Sequence, residues 1–332
     1  MLLATLACTA EHPNAPLPEE PATAPTTSLT QSTPTIAKSS TTLAELSTLP
    51  PNTTDHFEPQ LARQSIFPSL TEQNTGGINE SAAKCANLIE IKCYTLEIVE
   101  RIPHDPLAFT QGLEVADNII YESTGLYGRS SLRLINPKTG NPESQFDLPD
   151  KFFGEGITIV DNTIIQLTWK SGQAFLYERD TLEPIGQYYY QGEGWGLCSL
   201  GDILWMSDGS SSLAQRNPSN FELIATVPVI SAEETVEIDY LNELECVEDR
   251  IIANVWQADY LLVIDVSESA QAQVTAVIDA SVLVDDVEQN LTDPDQSIDV
   301  LNGIAATKDG TGTLWLTGKL WPYLYKVRII AN

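Results

Sequence analysis

The chain has 332 residues, with 46 Asp and Glu against 17 Lys and Arg, and a formal net charge of −29. So acidic a chain disfavours nucleic acid and anionic membranes as partners; it weakly favours amine-bearing ligands, although a solvated acidic face is the commoner meaning. Three histidines, His12, His56 and His104, nearly exclude a multi-histidine metal site and leave only His104 for a Ser-His-Asp triad, and no apolar run approaches the ~20 residues of a membrane span.

Residues 1–8 read MLLATLAC and end in Leu6-Ala7-Cys8, like the tail of a bacterial lipoprotein leader whose Cys is lipidated. The apolar stretch is short for a leader and no basic segment precedes it. Either the true start lies upstream or the match is chance. Residues 9–81 follow as a linker rich in Pro, Thr and Ser. Residues 9–80 hold half of the chain's 20 prolines and neither Trp nor Tyr. Such a stretch buries too little apolar area to offset its ordering entropy, so a disordered tether is expected. Tether and leader together suggest an extracytoplasmic protein (periplasmic, secreted or lipid-anchored), touching a membrane only through Cys8.

From residue 82 to 332 the hydrophobic pattern changes to short β-type runs. A local motif recurs about 40–60 residues apart: Phe109-Thr110-Gln111-Gly112-Leu113, Phe153-Gly154-Glu155-Gly156, Glu193-Gly194-Trp195-Gly196-Leu197, Leu241-Asn242-Glu243-Leu244-Glu245 and Leu301-Asn302-Gly303-Ile304-Ala305. Each copy leads to a turn of acidic, Asn or Gly residues such as Asp117-Asn118 or Gly201-Asp202. A second run follows (Ile119-Ile120-Tyr121, Ile164-Ile165-Gln166, Ile203-Leu204-Trp205), then a third (Leu132-Arg133-Leu134, Phe175-Leu176-Tyr177, Leu261-Leu262-Val263). A fourth run, such as Glu143-Ser144-Gln145-Phe146, would complete each unit. Four strands repeated five times predict an all-β fold, a five-bladed β-propeller. The long last spacing suggests a short helical insertion within residues 280–300. Cys198 and Cys246 fall at nearly equivalent places in adjacent repeats; they form a disulfide or remain buried thiols. Cys85 and Cys93 lie eight residues apart at the start of the domain.

In a propeller the residues opening the innermost strands stand around one mouth of the central channel, and the loops after the second strands reach the same face. That placement collects Phe109, Gln111, Phe153, Glu155, Trp169, Trp195, Asn242, Trp256 and Lys319. One carboxyl among aromatic walls has its pKa raised by desolvation and can exchange a proton near neutral pH. Amides and a Lys can steady an oxyanion. Taken singly, each aromatic is more often core than site, each amide can tie off a turn, and Lys319 can pair with a surface carboxylate. Their convergence on one rim is what favours a site.

These motifs, with Tyr121-Glu122-Ser123-Thr124-Gly125, Leu167-Thr168-Trp169-Lys170, Leu204-Trp205-Met206-Ser207-Asp208-Gly209 and Ala253-Asn254-Val255-Trp256, resemble the plant-type glutaminyl-peptide cyclotransferases, which also occur in bacteria. The likeness runs over nearly all of residues 95–330. It implies a five-bladed propeller that uses no metal or other cofactor. It also implies a reaction in which the α-amine of an N-terminal glutamine attacks its own side-chain amide, releasing ammonia and leaving pyroglutamate. By the resemblance Glu155 is the proton shuttle. Gln111, Asn242 and Lys319 polarise the carbonyl, and Phe109, Phe153, Trp169, Trp195 and Trp256 wall the pocket. The expected partner is a peptide or protein with N-terminal glutamine, and the expected state a monomer. Competing readings are a propeller hydrolase, which would need a second carboxylate such as Glu243 or Glu245, and a propeller that binds a ligand without turnover.

Overall fold

The structure, a computed structural model, describes residues 66–68, 91–231, 238–268, 271–293 and 295–331. The chain divides into two units, Met1–Glu58 and Pro59–Asn332, and every described residue belongs to the second. The leader-like residues 1–8, nearly all of the linker and Cys85 lie outside the described residues.

The described residues form an all-β, propeller-like domain. After β1 (Lys92–Pro103) come four antiparallel meanders of four strands each. The first is β2 (Thr110–Ala116), β3 (Ile119–Thr124), β4 (Ser131–Ile135) and β5 (Pro142–Asp147). The second is β6 (Gly154–Val160), β7 (Thr163–Thr168), β8 (Gln173–Glu178) and β9 (Pro184–Tyr189). The third is β10 (Leu197–Leu200), β11 (Ile203–Met206), β12 (Ser212–Arg216) and β13 (Leu223–Ile230). The fourth is β14 (Leu241–Val247), β15 (Arg250–Val255), β16 (Tyr260–Asp265) and β17 (Ala272–Asp279). Helix α1 (Ser281–Gln289) then leads to β18 (Leu301–Ala306), β19 (Thr313–Gly318) and β20 (Tyr323–Ala331). β1 pairs antiparallel with β20, from Tyr94 opposite Ala331 to Pro103 opposite Tyr323. The N-terminal strand thus supplies the fourth strand of the last group. Parallel pairing at the outer edges, Lys92–Thr95 with Ala276–Asp279 and Val229–Ile230 with Ala272–Gln273, joins the last three groups into one sheet.

Burial follows strand position. β2 is buried along its whole length, whereas β5 and β9 are largely exposed. The innermost strands pack in the order β2, β6, β10, β14, β18, with β18 again beside β2. Five apolar clusters fill the spaces between neighbouring groups. Ile102, Val115, Ile120, Ala305 and Trp315 lie between the last group and the first, and Tyr121, Leu132, Ile157, Ile164 and Tyr177 between the first and second. The β2–β3 hairpin turns through Asp117 and Asn118, both at positive φ (49° and 61°), the backbone a two-residue turn needs to match strand twist.

Cys198 and Cys246 form a disulfide between β10 and β14, which resolves the alternative left open by the sequence. Cys93 is also disulfide-bonded. α1 confirms the expected helical insertion; it buries Leu283 and Val287, one turn apart, in the cluster beside Trp321 and Tyr325. The same cluster takes in Ile66 and Phe67. Ile66 N donates to Glu248 Oε1 (3.3 Å), and the Arg250 guanidinium stacks on the Phe67 ring. Two apolar residues of the Pro/Thr/Ser-rich stretch are therefore part of the domain's core.

Candidate active site

Four innermost strands shift register at the same point. The shifts fall between Thr110 and Gly112 in β2, Gly154 and Ile157 in β6, Leu241 and Leu244 in β14, and Leu301 and Ile304 in β18. Such a bulge puts an extra residue into one strand and re-aims its side chain. The first residue of each bulge is Gln111, Glu155, Asn242 or Asn302, all buried. Trp195 lies two residues ahead of β10. Glycine lets the strands approach this closely: a Cβ on Gly156 would stand 2.6 Å from the Trp195 carbonyl oxygen, and one on Gly196 2.1 Å from that of Asn242. Hydrogen bonds occupy the contact instead. Gly156 N donates to Trp195 O (2.7 Å), and Ser207 Oγ accepts from Gly196 N (2.7 Å) and donates to Asn242 O (2.6 Å).

A second tier of residues follows the second strand of each group. Trp169 N bonds Phe153 O (3.0 Å), Trp256 N bonds Tyr240 O (2.9 Å) and Lys319 N bonds Val300 O (2.9 Å). The same bond in three groups puts Trp169, Trp256 and Lys319 at equivalent hairpin ends. Lys319 thus occupies the place the repeat alignment assigns it, despite the insertion before it.

These two tiers meet at Glu155, which is 3% exposed. Its main-chain carbonyl accepts from Ser123 Oγ. Ser123 Oγ accepts from Gln166 Nε2 (2.8 Å), and Gln166 Oε1 accepts from Tyr177 OH (2.9 Å). The backbone of the carboxyl is therefore braced into the core. Asn302 Nδ2 donates to Thr110 O (2.9 Å) and to Gln111 Oε1 (3.3 Å), which leaves Gln111 Nε2 to donate to the Glu155 carboxyl. Oε2 of Glu155 finds no hydrogen-bond partner among the described residues. Burial pushes the Glu155 pKa well above the usual carboxylate range; Lys319 and Gln111 pull it back, and Glu193 adds to the rise. Burial likewise pushes Lys319 below the usual lysine value, against the pull of Glu155 and Asp299. The two groups are thus drawn closer in proton affinity.

The aromatic residues form two walls. On one, Phe153 packs edge-on against Phe109 (6.0 Å between centroids) and tilted against Trp169 (5.5 Å). On the other, Trp195 meets Trp256 edge-on at 6.1 Å. Exposed tyrosines extend both: Tyr127 against Phe153 and Tyr240 against Trp256. Lys319 Nζ lies 4.9 Å above the Phe109 ring. Glu193 ties the walls together, because its Oε2 accepts from Trp169 Nε1 (2.7 Å) and Trp195 Nε1 (3.0 Å). Lys170 Nζ sits 3.8 Å from the other oxygen of Glu193 and 4.0 Å from the centre of the Trp169 ring.

The competing carboxylates are occupied elsewhere. Glu243 accepts from Leu113 N (3.2 Å) and Ile304 N (2.8 Å), and Glu245 from Ala306 N (3.1 Å). Both bind β14 to the adjacent β18, and Glu243 also reaches β2, which is not next to β14 in the strand order. Among the described residues no group of His, Cys, Asp and Glu has the arrangement of a metal site.

Asn302 and Glu193 enter the sequence analysis only as members of the repeated motif, not as site residues. Asn302 carried a usable signal, since it shares the register of Gln111 and Asn242. Glu193 carried little, because one more acidic residue in a chain of net charge −29 attracts no notice.

Comparison with known proteins gives one answer. The sequence model of the glutamine cyclotransferase family matches residues 73–329. The glutaminyl-peptide cyclotransferase of Arabidopsis thaliana is 36% identical over 237 residues, covering 70% of this chain and 71% of the relative. The crystal structure of Myxococcus xanthus glutaminyl cyclase superposes with a TM-score of 0.66 at 34% identity, covering 73% of this chain and all of that one. On sequence and fold together, this chain belongs to the glutamine cyclotransferase family.

Proposed function

We propose that the protein is a glutaminyl-peptide cyclotransferase, an acyl-transferring enzyme that converts the N-terminal glutamine of peptides and proteins to pyroglutamate. Family membership supports the activity. The observation that carries the mechanism is the buried Glu155 carboxyl, with one oxygen unpartnered and its pKa raised. The free oxygen takes one proton from the substrate's neutral α-amine as its nitrogen attacks the side-chain amide carbon. The N–C bond forms as the amide C=O becomes an oxyanion, held by Lys319, Gln111 and Asn242. The proton on Glu155 passes to the leaving nitrogen, the C–N bond breaks, ammonia departs and the carbonyl re-forms. Attack is intramolecular, so the walls of Phe109, Phe153, Trp169, Trp195 and Trp256 act mainly by holding a cyclisable conformer and excluding water.

Two further readings go with this one. The five groups of four strands, the cyclic order of their innermost strands and the pairing of β1 with β20 support a five-bladed β-propeller. The disulfides at Cys93 and Cys198–Cys246 support an extracytoplasmic location, where such bonds persist. The test is ammonia release from a glutamine-initiated peptide, with and without a chelator. Equal release in both arms is expected. No ammonia overturns the activity, and loss on chelation overturns the metal-independent mechanism.

A further inference from the structure

One buried ionic cluster outside the pocket has no part in this mechanism. The side chains of His104 and Glu122 are 1% and 0% exposed. His104 Nδ1 lies 2.8 Å from the Trp321 carbonyl oxygen, and Nε2 lies 2.8 Å from Glu122 Oε1. A carbonyl oxygen only accepts, so Nδ1 carries a proton. Glu122 Oε1 also accepts from Thr110 Oγ1 (2.7 Å), and the Arg133 guanidinium stands 3.7 Å from Oε2. Both hold Glu122 as a carboxylate, so Nε2 carries a proton as well. A ring that donates at both nitrogens is an imidazolium.

The His104 ring joins two segments that flank Glu155, through Nδ1 to the Trp321 carbonyl, while Glu122 of β3 holds its other nitrogen. Residues 104–111 end in Gln111, and residues 319–322 begin with Lys319. His104 N donates to Pro322 O (2.8 Å) and Leu320 N to Ala108 O (2.7 Å). The latter bond holds Leu320 at a positive φ of 61°, a conformation unfavourable for leucine. We propose that His104 is a positioning residue: as an imidazolium it fixes the Lys319 turn against the strand of Gln111, and so sets the two groups that flank Glu155. Burial alone would lower the His104 pKa; the charge and hydrogen bond of Glu122, with the Trp321 carbonyl and Asp105, carry it above the usual histidine value. The charged groups facing the pair are Glu122 from β3, Arg133 from β4, and Asp105, which Arg133 holds at 2.9 Å.

The role rests on the cyclotransferase reading, and the experiment separates the two. Ammonia release by the unmodified full chain is measured first, and its absence counts against the activity alone. Nitrogen-15 NMR of the histidines in the same protein then reads protonation directly. At about pH 8 one ring, identified as His104 by its loss in H104Q, is expected to be protonated at both nitrogens. A neutral His104 tautomer there overturns the proposal. On raising the pH further, kcat is expected to fall with the same midpoint as the imidazolium signal. A kcat that persists after that signal has gone also overturns it. In H104Q, which keeps one donor and loses the charge, kcat is expected to fall between about ten-fold and a hundred-fold with KM nearly unchanged. A folded H104Q with unchanged kcat counts against positioning, and the pH comparison decides the matter should H104Q not fold.

Discussion

Replacing Glu193 with Ala removes the carboxylate oxygen that both Trp169 and Trp195 share, at 2.7 and 3.0 Å. A hydrogen bond to a charged group contributes roughly 1.5–3 kcal/mol when buried. The Glu193 side chain is 39% exposed, so solvent screening reduces each bond to about 1 kcal/mol. Losing both then costs about 2 kcal/mol of wall ordering, which corresponds to roughly a thirty-fold loss of the ordered form. Because the walls hold the substrate in every bound state, this loss is expected mainly in KM. Removing the charge also removes one cause of the raised Glu155 pKa. The limb of the kcat/KM profile that reports Glu155 is therefore expected to move to lower pH. Steady-state kinetics on a glutamine-initiated peptide across pH, with tryptophan fluorescence to report the indoles, measures both effects. An unchanged KM with unchanged fluorescence, or a limb that moves to higher pH, would refute the reasoning.

Three other outcomes follow from the same structure. The Cys198–Cys246 bond closes a loop with a sequence separation of 48, which the chain-entropy account values at about 4 kcal/mol; the double Ala variant should unfold at markedly lower denaturant, and coincident denaturation curves would contradict this. Gly196→Ala places a Cβ 2.1 Å from Asn242 O; it should destabilise by about 1–3 kcal/mol and lower activity, whereas wild-type stability would show that the strands can part. Glu155, Glu243, Glu245 and His104 all have raised pKa values, for the carboxyls chiefly through burial. Each then contributes stability that is fully present below its unfolded pKa and is lost as pH rises through its folded value. Glu122, held low, acts oppositely, and only as pH falls below the ordinary carboxylate value of 4.5. Urea melts should accordingly show highest stability in mild acid, declining toward alkaline pH, and a rise from about pH 5 to pH 8 would contradict the assignment.

The repeat was legible in the sequence because every copy obeys the same local rule. A residue ahead of a β-type run must bulge toward the axis, and a polar turn must follow the run, so Gln111, Glu155, Asn242 and Asn302 fall into register. The 14-residue step from Glu155 to Trp169 and from Asn242 to Trp256 could be counted for the same reason. Pairings between distant residues left no such trace. β1 reads as any other strand, and only its partner β20 makes it the edge of the last group. Ile66 and Phe67 sit in a stretch whose composition argues against a core, and their burial depends on Tyr94 and Arg250, far along the chain. His104 could be weighed as a triad member, but its actual partners, Glu122 and the Trp321 carbonyl, are assembled by the fold.

The central claim is that Glu155 moves the proton. Ammonia release by Glu155→Gln, compared with the unmodified protein at matched thermal stability, tests it most directly. The substitution keeps side-chain size and removes the titrating oxygen. Loss of a positioned acid–base group costs about 10²–10⁴-fold, so the variant should fold and retain about 1% of turnover or less. A folded Glu155→Gln protein that releases ammonia at close to the unmodified rate would contradict the account.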